Sequence, residues 1–164
     1  DHVFSVAARL PYPGWEQFSQ AISTAFGVVL RTGMITSVKR CSIKYVDILD
    51  SIPLEARSCF HFELALGGRT PKGRPFHVRM EHMEEDLIHS IQVGSAAQYT
   101  LTTGAILSGP VLDIDSVLNL DNEAPELFLE KLTERTEWLH SANKRVVFDC
   151  LSDAALEYLE PVYE

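Results

Sequence analysis

The chain has 164 residues and a mass of 18.4 kDa, with 46% hydrophobic and 23% charged side chains, enough for one domain with its own core and too apolar for a disordered chain. A formal net charge of −9 argues against nonspecific binding to phosphate backbones, and no stretch has the length and apolarity of a membrane span. The charge is uneven. Residues 31–79 hold nine basic and four acidic side chains, whereas residues 80–164 hold four basic and seventeen acidic, so a basic middle precedes an acidic end. Such asymmetry resolves within the fold, or it gives the middle segment a surface for an anionic ligand. Cys41, Cys59 and Cys150 are odd in number and isolated, a poor disulfide framework that fits a reducing, cytoplasmic setting. The expectation is a single α+β domain over residues 1–164, part of a longer chain extended at its N-terminus.

In chain order, His2 to Leu10 alternates and predicts a short strand, with Phe4, Val6, Ala8 and Leu10 on one face. Pro11, Pro13 and Gly14 break it. Trp15, Phe18, Ile22, Phe26 and Val29 then fall at helical spacings up to Arg31-Thr32-Gly33, with Gly33 in the C′ position. The period next changes to two, predicting strands Val38 to Ile48, Ser58 to Leu66, Pro75 to Met83, Asp86 to Val93 and Ala105 to Leu118. GGRTPKGRP reads as a long hairpin loop and MEED as a tight reversal. The last segment is helical, capped by Asn119, Asp121 or Asn122, with Pro125 in its first turn and Phe128, Leu132, Leu139, Ala142 and Val146 on one face. The pattern stutters from Cys150 to Ala154, where Ser152 or Asp153 caps a final turn ending before Pro161.

Strands joined by short connections imply an antiparallel sheet of about six strands, with two amphipathic helices on one face, in the order β-α-β5-α. This order resembles helix-grip folds, in which a curved sheet wraps a long C-terminal helix and leaves a ligand cavity between them. Fold alone does not fix function.

No catalytic signature emerges from the residues. His77, Glu81, His82, Glu84, Glu85, Asp86 and His89 read as a metal cluster only as text. On a strand His77 and His82 take opposite faces, so converging ligands are not predicted. His61 and Glu63 share the wet side of a strand. Cys41 has a basic neighbour in Arg40 but no identifiable histidine partner. No glycine loop in a strand-to-helix context cradles phosphate. No cofactor and no metal are expected.

The stretch RCSIKYVDILD, Arg40 to Asp50, is the informative one. Its odd positions Cys41, Ile43, Tyr45 and Leu49 form an apolar face into which Asp47 intrudes. Its even positions Arg40, Ser42 and Lys44 are polar. A carboxylate on the core side needs a partner. Arg135, which interrupts the apolar stripe of the last helix, supplies one as a sheet-to-helix ion pair. The functional alternative is a polar groove between the sheet and the C-terminal helix, with Arg40, Lys44, Tyr45, Asp47, Arg79 and Arg135 around a ligand.

Three segments together resemble a sporadically distributed family of uncharacterised bacterial and archaeal proteins. RCSIKYVDIL is similar to that family's arginine, arginine-tyrosine and asparagine strand. PYPGWEQFSQAI resembles its tyrosine, tryptophan and phenylalanine entry to the first helix. LHSANKRVVFDCLSDAAL resembles its leucine-histidine pair followed by phenylalanine and a threonine-aspartate cap. The resemblance covers most of the chain, principally its C-terminal two-thirds. Arg40, Tyr45, His140 and Phe148 match it, while Lys44 stands for arginine, Asp47 for asparagine and Ser152 for threonine. It implies little about activity, because that family has no established enzymatic function. The expected function is a cytoplasmic binding or interaction module with a protein partner, a second copy or a small anionic ligand. The alternative is a ligand-binding or enzymatic domain using the groove.

Overall fold

A computed structural model describes residues 2–65, 67–70 and 74–161. The protein is α+β, with one antiparallel sheet of four strands in the order β1-β4-β3-β2. These are β1 (Val38–Ile48), β2 (His77–Glu84), β3 (Leu87–Thr100) and β4 (Ile106–Glu123). The helices are α1 (Trp15–Arg31), α2 (Pro125–Glu130), α3 (Leu132–Cys150) and α4 (Asp153–Leu159).

Among the described residues two expected strands are absent. His2 to Leu10 lies outside the sheet, and Phe4 instead meets Phe26 of α1 edge-on at 4.9 Å. One apolar side was enough to hold this segment against a helix without any ladder. Ser58 to Leu66 becomes a 3-10 turn at Ala56–Cys59 followed by a single bridge from Phe60 to Leu151. The junction between α3 and α4 takes up the local backbone groups: His61 donates to the Cys150 carbonyl at 2.8 Å and Ser152 to that of Cys59 at 2.9 Å. Satisfied there, these groups have no need of a neighbouring strand. Leu66, and residues 71–73 of the expected hairpin loop, lie outside the described residues.

β1 keeps its expected bounds and β2 starts two residues late and ends one residue further on, while β3 and β4 run longer than their alternation suggested. β3 and β4 pair from Leu87–Leu118 out to Thr100–Ile106, with a register shift between Gly94 and Ala97. A Cβ on Gly94 would come within 2.9 Å of the Val111 side chain, so any other residue there would have to displace that side chain. The MEED reversal is a tight turn, with Glu84 opposite Leu87. Asn119, Asp121 and Asn122 are strand residues of β4 and not helix caps; α2 starts at Pro125, without a side-chain cap. The last helix is divided at Lys131 into α2 and α3, and Ser152 caps α4 by accepting from the Ala155 N–H at 3.2 Å.

Helix α3 crosses the face of the sheet formed by Ile43 and Tyr45 of β1, Leu112, Ile114 and Leu118 of β4, and Leu87 and Ile91 of β3. Its buried Leu139, Ala142 and Val146 fill the core on that face. The second expected cover is different. α1 packs mainly on α2 and α3, and it touches the sheet through its ends: Trp15 beside Ile43 and Leu139, and Leu30 and Phe26 beside Val38 and Cys41. α2 buries Phe128 and so gives α1 a second apolar surface beside the sheet.

Candidate functional site

The alternation of β1 turns Asp47 toward the helices, beside Leu112 in register. At that end of the sheet α3 stops, and Leu151 leaves the helix in an extended conformation. The capped α4 then returns across the gap. Between them lies a cleft of about 310 Å³, lined by Asp47, Leu49, Leu112, Val147, Phe148, Leu151, Leu156 and Leu159 among others. Its walls are mainly apolar, and among the described residues that line it Asp47 alone carries a charged side chain.

Asp47 has no hydrogen bond or ion pair among the described residues. Much of its surface stays open, yet the apolar walls desolvate the carboxylate and push its pKa up from the usual value. The expected partner is engaged elsewhere. Arg135 binds Glu123 of β4 through both guanidinium nitrogens, Nη2 to Oε2 at 2.7 Å. This bidentate pair holds the Glu123 carboxyl below its usual range and raises Arg135 further. The sheet-to-helix ion pair therefore exists, but with Glu123 in place of Asp47, because β4 runs five residues past its expected end.

Beside Asp47 on the same face, Tyr45 OH and His140 Nδ1 are 2.9 Å apart. Trp15 stacks flat on the His140 ring, with centroids 4.0 Å apart and planes 9° apart, and its Nε1 donates to the Glu137 carboxylate at 2.9 Å. Tyr12 adds an edge-on contact and a 3.4 Å hydroxyl contact to Tyr45. Burial, the Tyr12 contact and the Asp47 charge push the Tyr45 phenol far up, while burial lowers His140. Both groups are neutral near pH 7 and hold the start of α1 to the sheet. Tyr12 and Trp15 from before and within the first turn of α1 thus meet Tyr45 of β1 and His140 of α3.

A second polar group lies under α3. Asn143, fully buried, donates through Nδ2 to the carbonyls of Ile43 (3.3 Å) and Ile114 (3.0 Å) and to Ser116 Oγ (2.9 Å). His89 Nδ1 lies 2.8 Å from the same hydroxyl, and its Nε2 lies 3.7 Å from Glu84, which Arg145 of α3 binds at 2.7 Å. Serine, histidine and glutamate in a row suggest acyl transfer on paper, but Ser116 has no exposed surface for a substrate to reach. This row ties the helix to the sheet. Cys41 and Cys150 are also inert at neutral pH, because burial pushes each thiol up to about 11.

The six expected groove residues do not form one site. Tyr45, Asp47 and Arg135 are on the helix side. Arg40, Lys44 and Arg79 are on the other face of the sheet, where Lys44 pairs with Asp113 at 2.8 Å and Arg79 lies 3.5 Å from Glu81. Of the six, only Asp47 lines the cleft. Val147, Leu151, Leu156 and Leu159 were missed, although the apolar residues on both sides of the Ser152 cap were their signal. The histidines split as expected: His82 stacks across the strands on His89, while His77 faces the opposite side. Among the described residues no helix is long and apolar enough to cross a membrane. No protein-family model, curated protein or solved structure matches the chain.

Proposed function

We propose that the protein is a binding module, and that its recognition site is the cleft between the end of β1, α3 and α4. The observation that supports this most directly is the Asp47 carboxylate, without a partner among the described residues, in a mainly apolar recess. Ionising a desolvated carboxylate works against folding unless a partner arrives. A ligand carrying a cation or a strong hydrogen-bond donor supplies that partner, and an apolar body beside it displaces water from the Leu and Phe walls. The fitting ligand class is therefore an apolar group with an adjacent cationic head, such as an alkylammonium or a leucine-lysine pair on a protein partner. A small anion fits this cleft poorly, because it would meet Asp47. The resemblance to the prokaryotic family, and a cytoplasmic setting, are part of the same proposal: Asp47 stands where that family carries asparagine, so a carboxylate here selects for charge where an amide selects for shape.

The test compares hexylammonium with hexanoate by ligand-observed NMR on the 164-residue chain. Hexylammonium is expected to bind and hexanoate to bind at least tenfold more weakly, a difference of about 1.4 kcal/mol. Asp47→Asn is expected to remove that preference. Equal binding of both ligands, or a preference that survives Asp47→Asn, would refute the reading.

A further inference from the structure

Among the described residues strand β2 ends the sheet, bonded to β3 on one side only. Every second residue of its eight therefore directs a backbone N–H and C=O away from the sheet. Proteins usually blunt such an edge with lysine, proline or a cover. His77–Glu84 contains neither lysine nor proline. Helix α3 lies mainly over β1 and β4 and reaches β2 through the Arg145–Glu84 pair; Met80 on the helix side is 54% exposed and Met83 on the other face 71%.

The charges of β2 select an occupant. A two-fold axis relating two antiparallel edge strands stands perpendicular to the sheet and passes through one residue, so that both helix layers stay on the same side. With the axis at Met80, Met80 faces its own copy and Arg79 faces Glu81 of the second copy, in two equivalent pairs. Moving the axis to Arg79 sets arginine against arginine, and moving it to Glu81 sets glutamate against glutamate. Within one chain Arg79 and Glu81 already lie on the same face of the sheet, 3.5 Å apart, so the two copies close a ring of four alternating charges. We infer that β2 is a self-association edge, joining two copies into a continuous eight-stranded antiparallel sheet with the axis at Met80. This does not depend on the cleft.

Sedimentation velocity between about 1 μM and about 1 mM spans the affinities expected of one strand edge. The wild-type chain should self-associate in that range, and Arg79→Glu and Glu81→Arg should each weaken dimerisation by about tenfold or more. An equimolar mixture of the two variants should restore it, because each then faces its complement, and the double swap R79E/E81R should restore it within one chain. Oxidative cross-linking gives an independent readout if a charge variant fails to fold. Met80→Cys should link to its own copy faster than Met83→Cys, although position 83 is the more exposed. A chain that stays monomeric up to the highest concentration overturns the inference by leaving the edge to another molecule. A dimer indifferent to both reversals overturns it by placing the contact elsewhere, as does faster linking at position 83.

Discussion

Asn143 and His89 show how single polar side chains settle the way α3 sits on the sheet. Asn143 donates to two strand carbonyls and a serine hydroxyl at once, an arrangement that sliding or rotating the helix would break. His89 beside it is fully buried, and burial lowers its pKa below the ordinary 6.5. The charged groups facing it are Glu84 and His82 from β2 and Arg145 from α3, while Ser116 and Asn143 are neutral. Glu84 favours the protonated ring, whereas His82 and Arg145 oppose it. With the folded pKa depressed, the unfolded chain binds more protons below about 6.5, so this contribution to stability is complete above that pH and is lost as pH falls. His140, lowered in the same way, adds to the slope. Glu84 and Glu123, held below 4.5 by their arginines, act in a lower window, and Asp47, raised by desolvation, has the opposite sign. Urea midpoints measured from pH 7.5 to 5 should therefore fall, by at most about 1.4 kcal/mol per pH unit for each histidine. His89→Gln should flatten part of that fall. An unchanged slope would show that His89 is not the titrating group. None of this was readable from the sequence, where His89 was one histidine in an apparent metal cluster and Asn143 one polar residue in a helix.

At the scale of elements, α4 is seven residues long, too short to persist alone. Ser152 holds it in two ways, accepting from the Ala155 N–H and donating to the Ser58 carbonyl at 2.6 Å. Ser152→Ala should cost about 1 kcal/mol, the usual worth of an N-cap. Because α4 forms a wall of the cleft, the same change should weaken hexylammonium binding more than it lowers the melting temperature of the rest of the chain. Parallel calorimetry and NMR titration check this, and binding at wild-type strength would detach α4 from the site. The cap itself was legible, as a serine before DAAL. Its second bond was not, since the Ser58 carbonyl it meets is 94 residues away in sequence. The same long-range bonding explains the failure at Ser58 to Leu66, which alternates like a strand yet spends its backbone bonds on the α3–α4 junction.

Across the whole molecule, stability should be graded. β3 and β4 pair along most of their length beneath α3, while residues 2–10 make no ladder. Native-state hydrogen exchange should be slowest for amides of β3, β4 and α3 and fast throughout residues 2–10. Protection in residues 2–10 equal to that of β4 would mean that the arm folds as part of the sheet. The sequence by itself determined that the fold is α+β and antiparallel, that α1 spans Trp15 to Arg31, that β1 spans Val38 to Ile48, and that Tyr45 and Asp47 face the helices. These follow from local periodicity, which reports whether a side chain is buried on a helix or strand face. Only the tertiary structure decided which alternating segments acquire a pairing partner, that Arg135 belongs to Glu123, and that Arg40, Lys44 and Arg79 lie across the sheet from Asp47. Periodicity identifies a face but not the residue that meets it, and a buried charge takes whichever opposite charge the packing brings within reach.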